Sequence, residues 1–330
     1  MSKIRVGIIG GAGYTGGELI RLLVNHPHIE LAFINSKSNA GKPVHSVHQD
    51  LVGETDWLFS DALHNDIDVL FLCVGHGDAK KFLAANPVAP NVKMIDLSQD
   101  FRLAANAQQF DRHFVYGLPE LNRVAIKTAT SVANPGCFAT AIQLGLLPLA
   151  KAGLLNDIYT TGITGSTGAG QSLSATSHFS WRAANIQAYK TLNHQHLNEI
   201  QQSLHLLQDS FPATPGGQLN FVPWRGDFTR GIFISSTITC TENIDQLYQR
   251  FEAFYKEHPF TTVTREPIFL KQVVNTNKAV IQLEQQGDKL VVHSAIDNLL
   301  KGASGQAVQN MNLMCGLEEG TGLQLKANYF

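Results

Sequence analysis

The stretch "IRVGIIGGAGYTGGELIRLL", residues 4–23, decides the fold of this chain. Its first six residues form a short apolar run that is typical of a buried strand, and the run ends in a cluster of glycines. From Tyr14 onward the pattern becomes helical, with Leu19, Leu22 and Leu23 on one face. A strand, a glycine-rich turn and a helix in immediate succession indicate the first unit of a parallel α/β sheet.

The glycines of this turn have the spacing of a dinucleotide-binding loop. Gly11, Gly13 and Gly16 give G-x-G-x-x-G, and Gly10 adds an overlapping register. Such glycines permit a tight turn and let a pyrophosphate approach the N-terminus of the helix. A glycine-rich turn that binds no nucleotide is the alternative, but the strand and helix on either side favour a cofactor site. The residues predicted to contact the cofactor here are Gly10, Gly13, Tyr14, Thr15 and Gly16.

The end of the second predicted strand, residues 29–35, indicates which nicotinamide cofactor binds. An NAD site usually carries an Asp or Glu there, which binds the ribose hydroxyl. This chain has Ser36, Lys37 and Ser38 instead, with no acidic residue. Two hydroxyls and a cation suit a 2′-phosphate, so we predict NADP(H); a solvated loop is the alternative.

Periodicity predicts two domains of different class. Short β-rich runs alternate with helical segments through the first 150 residues, whereas later runs are longer and pair as hairpins, for instance around Gly287-Asp288. We therefore predict an α/β protein with a Rossmann-type doubly wound parallel sheet, plus an α+β domain with a largely antiparallel sheet. The expected domains are an NADP-binding domain at 1–150, completed by the C-terminal helix 303–330, and a second domain at 151–302, for which the family resemblance given below implies catalysis and dimerisation.

Composition excludes several functional classes. The 330 residues carry a formal net charge of −2, with no basic patch for nucleic acid or for a membrane surface. The sequence "MSKIRVGIIGGAG" lacks the features of a signal peptide, and no apolar run is long enough to span a bilayer. The four cysteines are far apart in sequence, with no CxxC pair to suggest zinc. We expect a cytoplasmic protein without bound metal.

The candidate nucleophile is Cys137, in "NPGCFAT" (134–140) at the start of a predicted apolar helix. The N–H groups and dipole at a helix N-terminus favour a thiolate. Cysteine is also a common packing residue, so the sequence motif alone leaves both roles open. A predicted nicotinamide site in the same chain favours the catalytic role.

The candidate bases lie in "TLNHQHLNEIQQSL", where His194 and His196 precede a helix and Glu199 follows one turn later. The carboxylate is spaced to orient the His196 ring. Metal binding by His-x-His is the competing interpretation, and it lacks an obvious third ligand. A second glycine-rich loop, residues 161–172, has small residues that let backbone N–H groups approach an anion or the nicotinamide ribose, with a flexible turn as the alternative. Arg102 and Arg230 are candidates for binding anionic substrate groups, with surface ion pairs as the alternative.

Taken together, these motifs resemble the N-acetyl-γ-glutamyl-phosphate reductase family of the aspartate-semialdehyde dehydrogenase superfamily. The similarity runs nearly end to end through "DLSQDFR", "YGLPE", "NPGCFAT", "GSTGAGQS", "HQHLNEI", "TRGI" and "DNLLKGASGQAVQNMNLM". The resemblance implies that Cys137 forms an acyl-enzyme, that His194 or His196 is the acid/base, and that the cofactor is NADPH. It also implies an acyl-phosphate substrate and a homo-oligomer, dimer or tetramer. Further cofactor contacts would come from Gly168 and Asn298, and substrate contacts from Asn134, Gln171, Arg102 and Arg230.

Two departures from the family pattern leave the acyl group open. The family segment commonly reads His-Arg-His with a proline before the Glu, whereas this chain has Gln195 and Asn198, and Gln171 stands where an arginine is common. Both changes remove a cation near the expected substrate, which leaves the N-acyl group open. The resemblance implies N-succinyl as the alternative to N-acetyl, because branches of this family work on N-succinyl intermediates. The motifs also leave open aspartate-semialdehyde dehydrogenase activity, a Cys-His acyl hydrolase or transferase, and a redox-sensing NADP-binding regulator.

Overall fold

A computed structural model of the chain describes residues 3–214, 216 and 218–329. The chain divides into two compact units, Met1–Pro135 with Ala303–Gln324, and Gly136–Gly302 with Leu325–Phe330. The first boundary therefore lies at Pro135, before the position expected at residue 150. The difference has a physical reason: the helix that begins at Cys137 packs on the sheet of the second unit.

The first unit contains a parallel sheet with helices along it. Its strands are β1 (Ile4–Ile9), β2 (Ile29–Asn35), β3 (Val69–Leu72), β4 (Lys93–Asp96), β5 (Gln108–Gln109), β6 (Arg112–Tyr116) and β7 (Ser131–Ala133). Its helices up to Pro135 are α1 (Tyr14–Leu23), α2 (Asp78–Ala85) and α3 (Pro119–Thr128). The strand order is β2-β1-β3-β4-β7-β6-β5, and every pairing is parallel except that of β5 with β6. The predicted doubly wound parallel sheet is confirmed.

This topology determines where a ligand can bind. The chain leaves β1 through α1 to reach β2 on one side of β1, and it later places β3 on the other side. The carboxyl ends of β1 and β3 therefore flank a topological switch point, which is where open α/β sheets bind their ligands. The glycine-rich turn follows β1 directly, so it lies at this point.

The second unit is built on a mixed sheet. Its strands are β8 (Ile158–Thr164), β9 (Gln187–Ala188), β10 (Leu219–Arg225), β11 (Ile232–Thr239), β12 (Thr261–Thr264), β13 (Ala279–Gln286) and β14 (Lys289–Ile296), in the order β12-β13-β14-β11-β8-β10-β9. Its helices are α4 (Cys137–Lys151), α5 (Phe179–Arg182), α6 (His196–Leu207) and α7 (Ile244–Tyr255). Pairing is antiparallel except for β8 with β10 and β12 with β13, which confirms the largely antiparallel prediction.

Helix α4 is the central helix of the second unit. Every residue from Phe138 to Ala150 is buried, so the helix is apolar on all sides rather than amphipathic. It packs on β11, β13, β14 and α6, and the Ser294 hydroxyl donates to the Ala141 carbonyl at 2.6 Å. The opposite face of the sheet is partly exposed, with Tyr159 at 61%.

Helix α8 (Ser304–Met314) belongs to the first unit although it follows the second in sequence. All of its residues are buried. The Ser304 hydroxyl donates to the Thr15 carbonyl at 2.8 Å, and Asn310 Nδ2 donates to the Gly117 carbonyl at 2.8 Å. A helix from near the end of the chain thus completes the first unit. Nowhere in the described ranges is a helix both long and apolar enough to cross a bilayer.

Candidate active site

The glycine-rich loop after β1 has the shape that its glycines predict. Gly10 has a φ of +80°, and a Cβ there would collide with the Cys73 carbonyl. A Cβ at Gly16 would lie 2.6 Å from the Gly10 carbonyl oxygen, so α1 can approach the loop only with glycine at this position. A Cβ at Gly13 would meet nothing closer than 3.8 Å, which leaves open space where α1 begins. This space at a helix N-terminus suits a phosphate group.

The other two predicted residues of the loop differ in exposure. Tyr14 opens α1 and is 41% exposed. The Thr15 hydroxyl instead hydrogen-bonds the Cys73 thiol below the loop. Tyr14 is thus accessible to a ligand, whereas the Thr15 side chain holds the loop to the strand beside it.

His48 holds the outside of this loop, which the sequence did not predict. Its Nε2 donates to the Gly11 carbonyl at 2.7 Å, and its ring lies against the Cα of Gly17. The residue follows a 3₁₀ turn at Val44–Ser46, far from the loop in sequence. No short-range pattern could have associated it with the glycines.

The segment after β2 presents hydroxyls and cations. Asn39 Nδ2 donates to Ser36 Oγ at 3.2 Å and to Ser38 Oγ at 3.3 Å, so each hydroxyl keeps its own hydrogen for another acceptor. Lys37 is exposed, and Lys42 Nζ donates to Asn39 Oδ1 at 3.4 Å. Two hydroxyl donors beside two ammonium groups suit a phosphate monoester. The sequence did not indicate Asn39 and Lys42, because their role depends on side-chain geometry.

Cys137 is the first residue of α4, directly after the N-cap residue Gly136. Its side chain is only partly buried, and a Cβ at Gly302 would lie 2.8 Å from Cys137 Cβ. All four cysteines of the chain are described, and none forms a disulfide. Burial raises the pKa of Cys73 to about 12 and that of Cys315 to about 11, and Cys240 is buried. Cys137 therefore has the position most suited to a reactive thiolate.

His196 and Glu199 converge on the residue that precedes this thiol. The His196 ring lies so close to the Cα of Gly136 that a Cβ there would collide with it. Glu199 Oε2 accepts the Gly136 N–H at 3.1 Å, and its Oε1 lies 3.9 Å from His196 Nε2. The structure thus brings together three of the predicted catalytic residues within the second unit.

His194 has different surroundings from His196. Its ring packs against the rings of Phe138, Tyr189 and Phe221, with centroids 5.6, 5.9 and 5.6 Å away. Its Nδ1 accepts the His196 N–H at 3.2 Å. Burial and, to a lesser degree, the charge of Lys190 lower the pKa of His194 to about 4. The imidazole is therefore neutral at pH 7, and it supports the backbone that carries His196.

Arg102 and Asn134 are buried within the first unit. Arg102 Nε donates to the Asn134 carbonyl at 2.8 Å and Nη2 donates to the Leu97 carbonyl at 3.0 Å. The Asn134 amide donates to the Ala303 carbonyl and accepts from Asn310, both at 3.1 Å. These contacts hold the end of β7, where the chain leaves the unit. Both residues therefore have a structural role. The sequence could not show this role, because it depends on their burial.

Arg230 and Asn298 anchor loops of the second unit. Arg230 forms a bidentate pair with the buried Asp297, at 3.0 and 3.1 Å. Asn298 accepts the Gly231 N–H at 2.7 Å and donates to Thr167 Oγ1 at 2.9 Å, which places it beside the second glycine-rich loop. A Cβ at Gly168 in that loop would lie 3.9 Å from Asn298 Nδ2, so these two predicted residues come together.

The remaining predicted substrate residue, Gln171, is exposed. Across the described residues, no three His, Cys, Asp or Glu side chains are grouped so that they could hold a metal ion.

Comparison with family models matches both units. A model described as the NAD binding domain of semialdehyde dehydrogenase matches residues 5–129, and one described as its dimerisation domain matches residues 137–298. The gap between the two matches coincides with the boundary at Pro135.

Full-length relatives share more than half of their residues with the chain. N-acetyl-gamma-glutamyl-phosphate reductases from Phocaeicola vulgatus, Bacteroides fragilis and Christiangramia forsetii are 57%, 56% and 53% identical, over 99% of this chain and 100% of each relative. Among solved structures, aspartate semialdehyde dehydrogenase II of Vibrio cholerae, complexed with ASA, superposes with a TM-score of 0.70 at 16% identity, over 96% of this chain and 99% of that one. Aspartate semialdehyde dehydrogenase of Candida albicans, with NADP, gives 0.67 at 14% identity, over 95% and 99%. These structures share the fold.

Proposed function

The chain belongs to the N-acetyl-gamma-glutamyl-phosphate reductases of the semialdehyde dehydrogenase family, and we propose that it reduces N-acetyl-γ-glutamyl phosphate to N-acetylglutamate 5-semialdehyde, using NADPH and releasing phosphate. The reaction is a step of arginine biosynthesis. The observation that carries the proposal is the convergence of His196 and Glu199 on Gly136, directly before the partly exposed thiol of Cys137. Reduction of the acyl phosphate by the purified protein, followed by NADPH absorbance, tests it.

The residues of the first unit fit NADP(H). The open space at Gly13 and the N-terminus of α1 would take the pyrophosphate. Ser36, Lys37 and Ser38 would take the 2′-phosphate, with Asn39 turning both hydroxyls into donors. When bound, NADPH supplies the hydride that reduces the acyl carbon held on Cys137.

Cys137 performs the first chemical step as a nucleophile. Its thiolate attacks the γ-carbonyl carbon, a C–S bond forms, and the C–O bond to phosphate breaks with its electron pair leaving on the phosphate. The product is a thioester on Cys137. The N-terminus of α4 carries partial positive charge, so it can stabilise negative charge near the sulfur and on the carbonyl oxygen.

His196 handles the proton in the second step. After reduction, the former carbonyl oxygen carries negative charge, and a proton from His196 stabilises it. When the C–S bond breaks, His196 takes the proton back, the aldehyde C=O forms, and Cys137 is regenerated as a thiolate. Glu199 fixes this arrangement because its two oxygens face His196 and the Gly136 N–H. His194, neutral and enclosed by aromatic rings, is a positioning residue in this scheme.

Cofactor selectivity follows from the segment after β2. We expect the protein to prefer NADPH over NADH, and Lys37→Glu to narrow or reverse that preference, because a carboxylate repels the 2′-phosphate and accepts from a ribose hydroxyl. Without the charge-assisted hydrogen bond from Lys37, NADPH affinity should fall roughly tenfold or more. Binding of 2′,5′-ADP, measured calorimetrically, checks this without turnover. Lys127→Glu, an equal charge change on α3, is the control. Equal efficiency with both cofactors in the unmutated protein contradicts the assignment.

A second copy of this chain is the proposed partner of the second unit. The sheet face opposite α4 is partly exposed along β8 and β11, where Tyr159 and Thr161 face outward beside Thr237 and Ser235. This region lies within the match to a dimerisation domain. We expect a dimer or tetramer by analytical ultracentrifugation, and a shift toward monomer in Thr237→Arg. A monomeric wild-type protein at micromolar concentration contradicts this expectation.

We also propose a cytoplasmic location, since all four cysteines are thiols.

A further inference from the structure

Two arginines of the second unit lie side by side although their charges repel. Arg182 ends α5 and Arg225 ends β10, and Arg182 Nη2 donates to the Gly226 carbonyl at 2.8 Å. Burial and then the charge of Arg225 lower the pKa of Arg182, and Asp227 partly offsets this. Asp227 is exposed, and its Oδ2 accepts the Ala184 N–H at 2.6 Å. The cluster has two cations to one carboxylate, so it carries a net positive charge.

The Tyr189 ring links this arginine pair to the thiol. The Arg225 guanidinium carbon lies 4.5 Å from the centroid of the Tyr189 ring, and that ring packs 5.9 Å from the His194 ring. Burial first, and then the negative charge of the Cys137 thiolate, raise the pKa of Tyr189 to about 12. The rings of Tyr189 and His194 therefore connect the pair to the catalytic segment of the same unit.

Arg182 has a donor available for a ligand. Arg182 Nε is buried and has no hydrogen-bond partner among the residues that the structure describes. A buried guanidinium N–H without an acceptor is costly, and an anionic ligand would supply the acceptor. Arg225 Nη1 donates to Thr176 Oγ1 at a long 3.3 Å. The arginines that sequence motifs favoured are engaged elsewhere, Arg102 by carbonyls and Arg230 by Asp297.

We propose that Arg182 and Arg225 bind the α-carboxylate of the acyl-phosphate substrate. The inference rests on the proposed function, which places the reacting γ-carbon at Cys137. The phosphate is bonded through oxygen to that carbon, so its binding group must adjoin the thiol. Tyr189 stacks on Arg225 and also feels the charge of the Cys137 thiolate, so the arginine pair lies on the far side of that ring from the thiol and suits an anion farther along the substrate. A guanidinium fork matches a carboxylate in shape and charge.

The test uses the reverse reaction, in which the semialdehyde carries the carboxylate and inorganic phosphate is a separate substrate. In Arg182→Ala and Arg225→Ala we expect the KM for the semialdehyde to rise roughly 10- to 100-fold, with the KM for phosphate and kcat nearly unchanged. Arg182→Gln and Arg225→Gln, which keep a polar side chain but remove the charged guanidinium, should show the same split. Arg265→Ala is the matched control, because Arg265 lies 4.2 Å from the Tyr248 ring but pairs with Asp245.

Two outcomes overturn the proposal. One is a rise in the KM for phosphate with an unchanged KM for the semialdehyde, which assigns the pair to the phosphate. The other is unchanged constants for both substrates. If the wild-type protein turns over neither substrate, the proposed function fails, and calorimetric binding of N-acetylglutamate decides the inference separately. Weaker binding in both alanine variants but not in Arg265→Ala supports it, and equal binding in all proteins overturns it.

Discussion

Cys137→Ser should lower the rate of acyl-phosphate reduction by about four orders of magnitude or more. A serine hydroxyl does not ionise near neutral pH, so it is a far weaker nucleophile than a thiolate. The variant should fold and bind NADPH normally, because the side chains have nearly equal volume and the nucleotide loop belongs to the other unit. Turnover and cofactor affinity, measured on the same preparation, separate the two effects.

Alkylation provides the control for this prediction. Iodoacetamide should label Cys137 before the other three cysteines, since Cys73 and Cys315 have pKa values raised by burial and Cys240 is buried. Excess semialdehyde should slow the labelling of Cys137. Peptide mapping that finds another cysteine labelled first, together with an active serine variant, would reduce Cys137 to a packing residue.

The second large effect is expected at His196. His196→Asn should lower kcat by roughly two to four orders of magnitude, the range typical of a lost general acid/base, with little change in NADPH affinity. The prediction singles out His196 because its ring lies against Gly136, directly before the nucleophile, and Glu199 is one turn away. Asparagine fits the space of the ring and cannot exchange a proton at neutral pH. Single-turnover kinetics would show whether acylation or reduction slows.

His194→Asn is the matched comparison. His194 is neutral at pH 7 and its Nδ1 accepts a backbone N–H, a contact that the asparagine carbonyl can replace. We expect a much smaller loss of turnover and a bell-shaped pH profile that keeps its wild-type midpoints. If His194→Asn is the more damaging variant while its folding is intact, the roles assigned to the two histidines are wrong.

Much of the fold could be predicted from local pattern. The strand, turn and helix of residues 4–23 and the hairpin at Gly287 depend on neighbours in sequence, and both are confirmed. The position of α4 could not be predicted, because a helix that is apolar on every side has no face to indicate its partner. It packs on the later sheet, so the first unit ends at Pro135.

The same distinction applies to the candidate site. Cys137, His196 and Glu199 lie in motifs whose spacing carries the chemistry. The contacts of the two candidate arginines depend instead on burial and on distant partners. Arg230 pairs with Asp297, and Arg102 donates to backbone carbonyls. His48, Asn39 and Arg225 lie outside any short motif, and their roles emerge only when distant segments are brought together.

The place of α8 in the first unit has a consequence for how the protein is made. Residues 136–302 are continuous in sequence and are synthesised before residues 303–324. The bulk of the second unit can therefore fold while synthesis continues. The first 135 residues must wait for residues 303–324, since Thr15 and Gly117 receive their hydrogen bonds from Ser304 and Asn310. We therefore expect chains that end at Gly302, tethered to the ribosome by a linker long enough to bring residue 302 out of the exit tunnel, to show a protease-resistant core from the later unit only. The segment translated first is then among the last to mature.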